Sequence, residues 1–278
     1  MNIDSHQHFW QYSPITHDWI TPEMSILQRH YLPADLQPEL EKVGFSGCVA
    51  VQATQTETET EFLLNLAAEN PFIKGVVGWV DLRAENAAER LTYFAQNSLF
   101  RGVRHIVQDE PDDLYLLQQT FLKGISALLP LGLAYDILIY PRHLPIAAEF
   151  VAHFPEQKFV LDHLAKPFIK NKGWQPWTDN LKKLAQHSQV YAKLSGLVTE
   201  ADWLNWQPQH LQPYLELALE AFGPERLMIG SDWPVCRLAG EYETVMQVII
   251  DFISQLTSSE QAAILGENAI RFYNLKSS

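Results

Sequence analysis

Basic side chains are scarce in this sequence: 20 Lys and Arg stand against 33 Asp and Glu over 278 residues, a formal charge of −13. Nucleic acid and anionic membranes both call for a positive field, so neither is expected as a partner. Cysteine is scarcer still. Cys48 and Cys236 are the only two, far apart in sequence, and read as reduced thiols of an intracellular protein. Long apolar runs are missing: the longest uncharged one, near residues 125–135, is broken by Pro130 and Gly132, so no membrane span is expected. No basic stretch precedes an apolar run at the start, which leaves no room for a signal peptide and points to a cytoplasmic protein. Gly-x-Gly-x-x-Gly, Gly-x-Ser-x-Gly, P-loop and Cys-x-x-Cys patterns are also lacking. A Rossmann fold, a serine hydrolase, an NTPase and a structural zinc site therefore have no support.

Apolar residues make up 47% of the chain, enough for a sizeable core. Eight short aliphatic runs read as strands: 2–6, 47–52, 74–80, 102–105, 133–139, 158–163, 190–194 and 226–231. Helical signals separate most of them, at 56–69, 85–97, 113–129, 141–154, 177–187, 209–222 and 241–256. Strands alternating with helices imply parallel pairing, and eight such units fit a closed (β/α)8 barrel better than an open sheet. No repeat or linker interrupts the chain, so a single domain over 1–278 is expected. Two connections are longer than usual, 9–31 with Trp10, Tyr12 and Trp19, and 166–176 with Phe168 and Trp174; both are expected to shape a pocket. The tail, 258–275, reads as a last helix packed on the outside of the barrel.

His6 and His8 share one side of the first strand, because residues two apart project together. In a barrel they stand at the carboxyl end, where such folds keep their chemistry. Other strands also finish in reactive groups: Gln52, Trp79, Arg104-His105, Asp162-His163, Lys193 and Ser195, and Ser231-Asp232-Trp233. His163 has the parity of Phe159 and Leu161. The strand ends converge on one mouth, and the chemistry such a mouth suits is hydrolysis. A carboxylate at Asp232 can take a proton from water, although with an ordinary pKa of about 3.9 it is a weak base. A bound divalent metal, or an intrinsically reactive ester whose oxyanion meets His and Arg donors, would make the transfer feasible.

Five motifs stand out: Asp4-Ser5-His6-Gln7-His8-Phe9-Trp10, Gly102-Val103-Arg104-His105, Asp162-His163-Leu164-Ala165-Lys166-Pro167, Gly230-Ser231-Asp232-Trp233-Pro234 and Gly266-Glu267-Asn268-Ala269-Ile270-Arg271-Phe272-Tyr273. With them the chain resembles the amidohydrolase superfamily along essentially its whole length. More narrowly it is similar to the amidohydrolase-2 branch of sugar-lactone and 2-pyrone-4,6-dicarboxylate lactonases, with relatives such as L-fuconolactonase and L-rhamnonolactonase. The resemblance implies a distorted (β/α)8 barrel that hydrolyses a small-molecule lactone. Asp232 would be the water-activating base, His6, His8 and His163 would surround carbonyl and water, and Arg104 would bind the substrate's oxygens. Gln52, Trp79, Lys166, Trp10 and Trp233 would contact the substrate. The resemblance implies that no cofactor is strictly required; one weakly bound divalent metal, such as zinc, could sit on His6, His8 and Asp232. The His or bridging Lys or Glu that metal-dependent relatives place on strands four or five is lacking here, which argues against a tight metal. A metal-dependent decarboxylase or amide hydrolase of the same superfamily, or a non-catalytic barrel that binds a sugar acid, are the competing readings.

Overall fold

All eight aliphatic runs form strands in the computed structural model, which describes residues 1–276. They are β1 (Ile3–Gln7), β2 (Gly47–Val51), β3 (Ile73–Gly78), β4 (Phe100–Ile106), β5 (Ala134–Leu138), β6 (Phe159–Leu161), β7 (Val190–Leu194) and β8 (Leu227–Ile229), each parallel to the next. Helices α1 (Pro33–Val43), α2 (Glu57–Glu69), α3 (Ala87–Ala95), α4 (Gln119–Ser126), α5 (Leu144–Ala152), α6 (Trp177–Ala185), α7 (Pro208–Phe222) and α8 (Tyr242–Ile253) come after the strands in turn. This is the (β/α)8 barrel, and it is nearly closed. Helix α1 is the one element of the repeat that the local sequence does not announce. Pro33 and Pro38 hide the Leu36–Leu40 pair that buries its inner face. Pro33 starts the helix, where a missing N–H costs nothing, and Asp35 accepts from the Leu32 amide at 2.9 Å.

The distortion lies where the ring closes. Strands β8 and β1 share no regular ladder; instead side chains stitch them. The Asp4 carboxylate accepts from Ser231 N at 2.9 Å and from Ser231 Oγ at 2.6 Å, while Ser5 Oγ donates to Ile229 O at 2.7 Å. Beyond the stitch, Asp232 N donates to His6 O at 2.8 Å and His8 N to Trp233 O at 2.7 Å. Against β2, strand β1 carries an extra residue between Asp4 and Gln7, a bulge that re-aims the end of the strand.

The buried apolar residues form two cores. The larger fills the layer between strands and helices. The smaller lies inside the ring, where Ile3, Val49, Val51, Val77, Ala134, Val160 and Met228 meet Ala269, Phe272, Tyr273 and Leu275. The last four belong to the tail, whose helices are α9 (Ser258–Ala262) and α10 (Asn268–Tyr273). The expectation that this segment packs on the outside is therefore wrong. The amino end of an eight-strand ring is an apolar opening, and burying Phe272 and Tyr273 in it removes more apolar surface from water than lying on the helices would. The crossing is tight: a Cβ at Gly266 would stand 2.2 Å from Met1 O. Both cysteines are free and buried, and among the described residues no helix is long and apolar enough to cross a membrane.

Candidate active site

At the carboxyl end of the ring, three imidazoles and a carboxylate from opposite ends of the chain come within reach of one point. His6 Nε2 and His8 Nε2 are 3.2 Å apart. Asp232 Oδ1 lies 3.3 Å from His8 Nε2, and 3.8 Å from both His6 Nε2 and His163 Nε2. Arg104 Nη1 is 3.3 Å from His6 Nε2 and donates to Asp162 Oδ2 at 3.0 Å. All of these side chains are buried.

Alternation explains most of this placement. Leu227 and Ile229 face the helices and Met228 faces the ring interior, so Gly230 and Asp232 continue the inward set. His163 arrives differently, and the parity expected for it fails. Phe159 and Leu161 face the helices, so a continued strand would send His163 outward with them. Instead β6 stops, and His163, Leu164, Ala165 and Lys166 all take left-handed backbone (φ 52, 50, 59 and 53°). Residues of this kind cost about 1 kcal/mol or more each in that region. The turn swings the imidazole back over the mouth, where Nδ1 pairs with Ser195 Oγ at 2.9 Å. Gly196 makes room, since a Cβ there would be 2.4 Å from that ring nitrogen.

The same alternation puts three further charged groups inside the barrel: Asp162 and Lys193, already named among the strand ends, and Asp136, which was not. Asp136, Asp162 and Lys193 are fully buried. Lys193 Nζ pairs with Asp136 Oδ2, lies 3.0 Å from Asp162 Oδ1 and 3.1 Å from His6 Nδ1. Tyr273, from the tail, donates its hydroxyl to the Asp136 carboxylate at 2.8 Å. Their signal was available: a charged residue of inward parity inside an aliphatic strand.

Burial alone would raise the Asp232 carboxyl, but the neighbouring His163, His8 and His6 side chains outweigh it and hold it well below the usual carboxylate range. Burial lowers His163 to about 4, with Asp232 and Asp162 opposing and Lys166 and Arg104 adding to the fall. Burial also pushes His6 well below its ordinary value, against the pull of Asp162. At neutral pH the cluster is thus an ionised carboxylate among uncharged His6 and His163 rings.

Residues 3–275 match the amidohydrolase family. The chain belongs to that family. An L-fucono-1,5-lactonase of Burkholderia multivorans is 40% identical over 286 residues, covering 99% of this chain and 96% of its own length. One from Burkholderia ambifaria is 36% identical, covering 98% and 95%. The crystal structure of an amidohydrolase from Burkholderia multivorans with bound zinc is 40% identical and has a TM-score of 0.96, over 99% of this chain and 100% of that one.

The mouth of this amidohydrolase opens into a cavity of about 140 Å³ lined by His8, Trp10, Trp19, Ala53, Arg104, Ile106, Gln108, Asp109, Leu138, His163, Lys166, Asp232 and Val235. A volume near 150 Å³ takes one six-membered ring. Of the residues that the resemblance implies contact substrate, Trp10 and Lys166 line the cavity, and Gln52, Trp79 and Trp233 do not. Gln52 is buried behind Arg104, accepting from its Nη2 at both the side-chain and backbone oxygens. Trp233 packs edge-on against Tyr31, 5.1 Å between ring centres, beneath the first loop. Trp79 is drawn off by His105. Trp19 lines the cavity too, on the long first connection expected to shape a pocket, whereas Gln108 and Asp109 line it although nothing in their local sequence marks them.

His6, His8 and Asp232 present ligand atoms within 4.8 Å of one another. Their separations of 3.2, 3.3 and 3.8 Å bracket the edge of about 3.4 Å expected for tetrahedral zinc with bonds of about 2.0–2.1 Å. His8 Nδ1 donates to Val51 O at 2.8 Å, which leaves the lone pair on Nε2 facing the cluster. This donor set fits a divalent cation.

Proposed function

We propose that this amidohydrolase opens a sugar lactone to its hydroxy acid, with a 1,5-lactone of a six-carbon sugar acid, such as L-fucono-1,5-lactone, as the first substrate to test. The observation that carries the reading is Asp232, ionised and ringed by His6, His8 and His163 at the base of a cavity sized for one ring. The full-length likeness to lactonases supports it.

The chemistry comes from the residues. Water held by Asp232 and the imidazoles attacks the lactone carbonyl carbon, and its proton passes to the Asp232 carboxylate. The charge that develops on the carbonyl oxygen meets the Arg104 guanidinium and the His163 ring. Collapse breaks the bond between the acyl carbon and the ring oxygen. Asp232 returns the proton to that leaving oxygen, which completes the hydroxy acid. Lys166, on the cavity wall, holds the substrate's oxygens. Trp10 and Trp19 offer apolar faces to the sugar ring. Asp232 is a weak base, so the reading favours a reactive cyclic ester over an amide. A divalent cation, when held by His6, His8 and Asp232, supplies Lewis-acid polarisation; we propose that it binds weakly and is not strictly required.

A pH-indicator screen of γ- and δ-lactones, run with and without chelator, tests this. Turnover of a sugar lactone that survives chelation supports both statements. Turnover abolished by chelator and restored by zinc sinks the metal statement alone, and no turnover of any lactone sinks the function.

A further inference from the structure

His105 is a motif residue that the reaction leaves unused. It neighbours Arg104 but faces the opposite way, and it is 4% exposed. Trp79 Nε1 donates to its Nδ1 at 3.2 Å, and its Nε2 stands 2.7 Å from Glu110 Oε1. An indole N–H can only donate, so Nδ1 carries the lone pair and Nε2 the proton, which goes to the carboxylate. The ring is gripped on its face as well: it stacks on Tyr115 at 4.7 Å and 14°, and the Arg83 guanidinium lies 4.8 Å from the centre of the Tyr115 ring.

The three partners come from three places: the end of β3, the body of β4 and the segment that leaves β4. Glu110 comes directly after the short 3-10 turn Val107–Asp109. Two residues of that turn, Gln108 and Asp109, line the cavity. The turn is tied at two other points, where Ile106 N donates to Gln55 Oε1 at 2.8 Å and Arg142 Nη2 donates to Gln108 O at 3.2 Å. Neither tie reaches its far end, next to Asp109. Glu110 does.

We infer that Trp79, His105 and Glu110 form a strut that holds the Val107–Asp109 turn against the substrate, making them positioning residues, with Trp79 acting through the strut and not by touching the lactone. This rests on the proposed use of the cavity. An amide and a carboxylate on the cavity wall suit the hydroxyls of a sugar ring, whereas Asp232 and the three imidazoles come from the ends of β1, β6 and β8. Loosening the turn therefore weakens binding and spares the chemical step.

The experiment compares Trp79→Phe, Glu110→Ala, their double variant and Glu110→Gln in the full chain, with a lactone that the wild type turns over. Each of the first two is expected to raise KM about tenfold, the scale of one lost hydrogen bond, with kcat changed by less than about twofold. The double variant is expected to be no worse than the poorer single one, because cutting a strut twice adds nothing. Glu110→Gln, which still accepts from His105, should recover most of the loss. Amide hydrogen exchange at 107–109 should quicken in Trp79→Phe and Glu110→Ala. KM increases that multiply in the double variant would mean that Trp79 touches substrate directly, and would overturn the strut. So would a loss confined to kcat, or unchanged exchange in the turn, and the exchange result holds whatever the activity. A wild type that turns over no lactone sinks the functional reading instead, and leaves exchange to decide the strut.

Discussion

Two layers of one barrel interior, built on the same strands, are made of opposite chemistry. In the lower layer Val49, Val51, Val77, Ala134, Val160 and Met228 close on Phe272 and Tyr273. One alternation further up stand Asp136 above Ala134 and Asp162 above Val160, with Lys193 and Arg104 beside them. The lower layer is held by area removed from water, which is non-directional and forgiving of shape changes. The upper layer is held by pairing, in which each charge is tolerable only while its partners remain. Apolar packing below thus fixes a frame in which buried charges above can hold His6, and through it the cluster, in one arrangement. Tyr273 belongs to both layers, packing among the valines and donating to Asp136.

The sharpest break in that comparison is in rate. Asp232→Asn should lower kcat about 10³-fold while the protein stays folded, as judged by circular dichroism and a melt; full turnover by the folded variant would remove Asp232 from its role. Next in size is Lys193→Met. It leaves Asp136 and Asp162 buried without their common partner, and should cost about 3–5 kcal/mol in denaturant unfolding and depress kcat as well. A variant as stable as the wild type would mean that the upper layer does not depend on pairing. The pH response comes third. His163 falls to about 4 in the folded protein against about 6.5 unfolded, so between these values the unfolded chain binds the extra proton. The contribution to stability is therefore complete above 6.5 and lost as pH falls towards 4. His163→Gln should flatten the melting temperature across that window. The wild-type kcat/KM should hold on acidification and fall away only near pH 4. The smallest effect belongs to the lower layer: Phe272→Leu should cost about 1 kcal/mol and leave kcat and KM unchanged. A large loss of activity there would show that the layers are not separable.

The barrel was legible because each strand is a short aliphatic run between breakers, and because β-sheet parity is a strict rule that finds Arg104 and Asp232 from their neighbours. His163 was found in spite of that rule. Its position depends on four left-handed residues with no glycine among them, and no local propensity announces such a run. The tail was misplaced because α10 has apolar residues enough for either surface; only the closed ring creates the opening they fill. Asp162 and Lys193 were legible as polar groups at strand ends, and Asp136 was open to a parity reading, since it shares the inward side with Ala134. Trp19 was legible from the length and aromatic content of its loop, but Gln108 and Asp109 could not be found, since they sit on a turn whose course is set by contacts with the rest of the barrel.

The stitch between Asp4 and Ser231 joins residues 227 positions apart, and His6 and Asp232 stand directly beyond it. A nascent chain therefore carries its histidine pair long before Asp232, the proposed base, which follows His8 by 224 positions. On the proposed mechanism a fragment that stops short of Asp232, however well its early strands pair, is expected to hydrolyse nothing. Appearance of activity during synthesis or refolding is thus a clock for the last event in the assembly of the ring. A circular permutant that opens the chain elsewhere, and makes this junction local, should start that clock sooner.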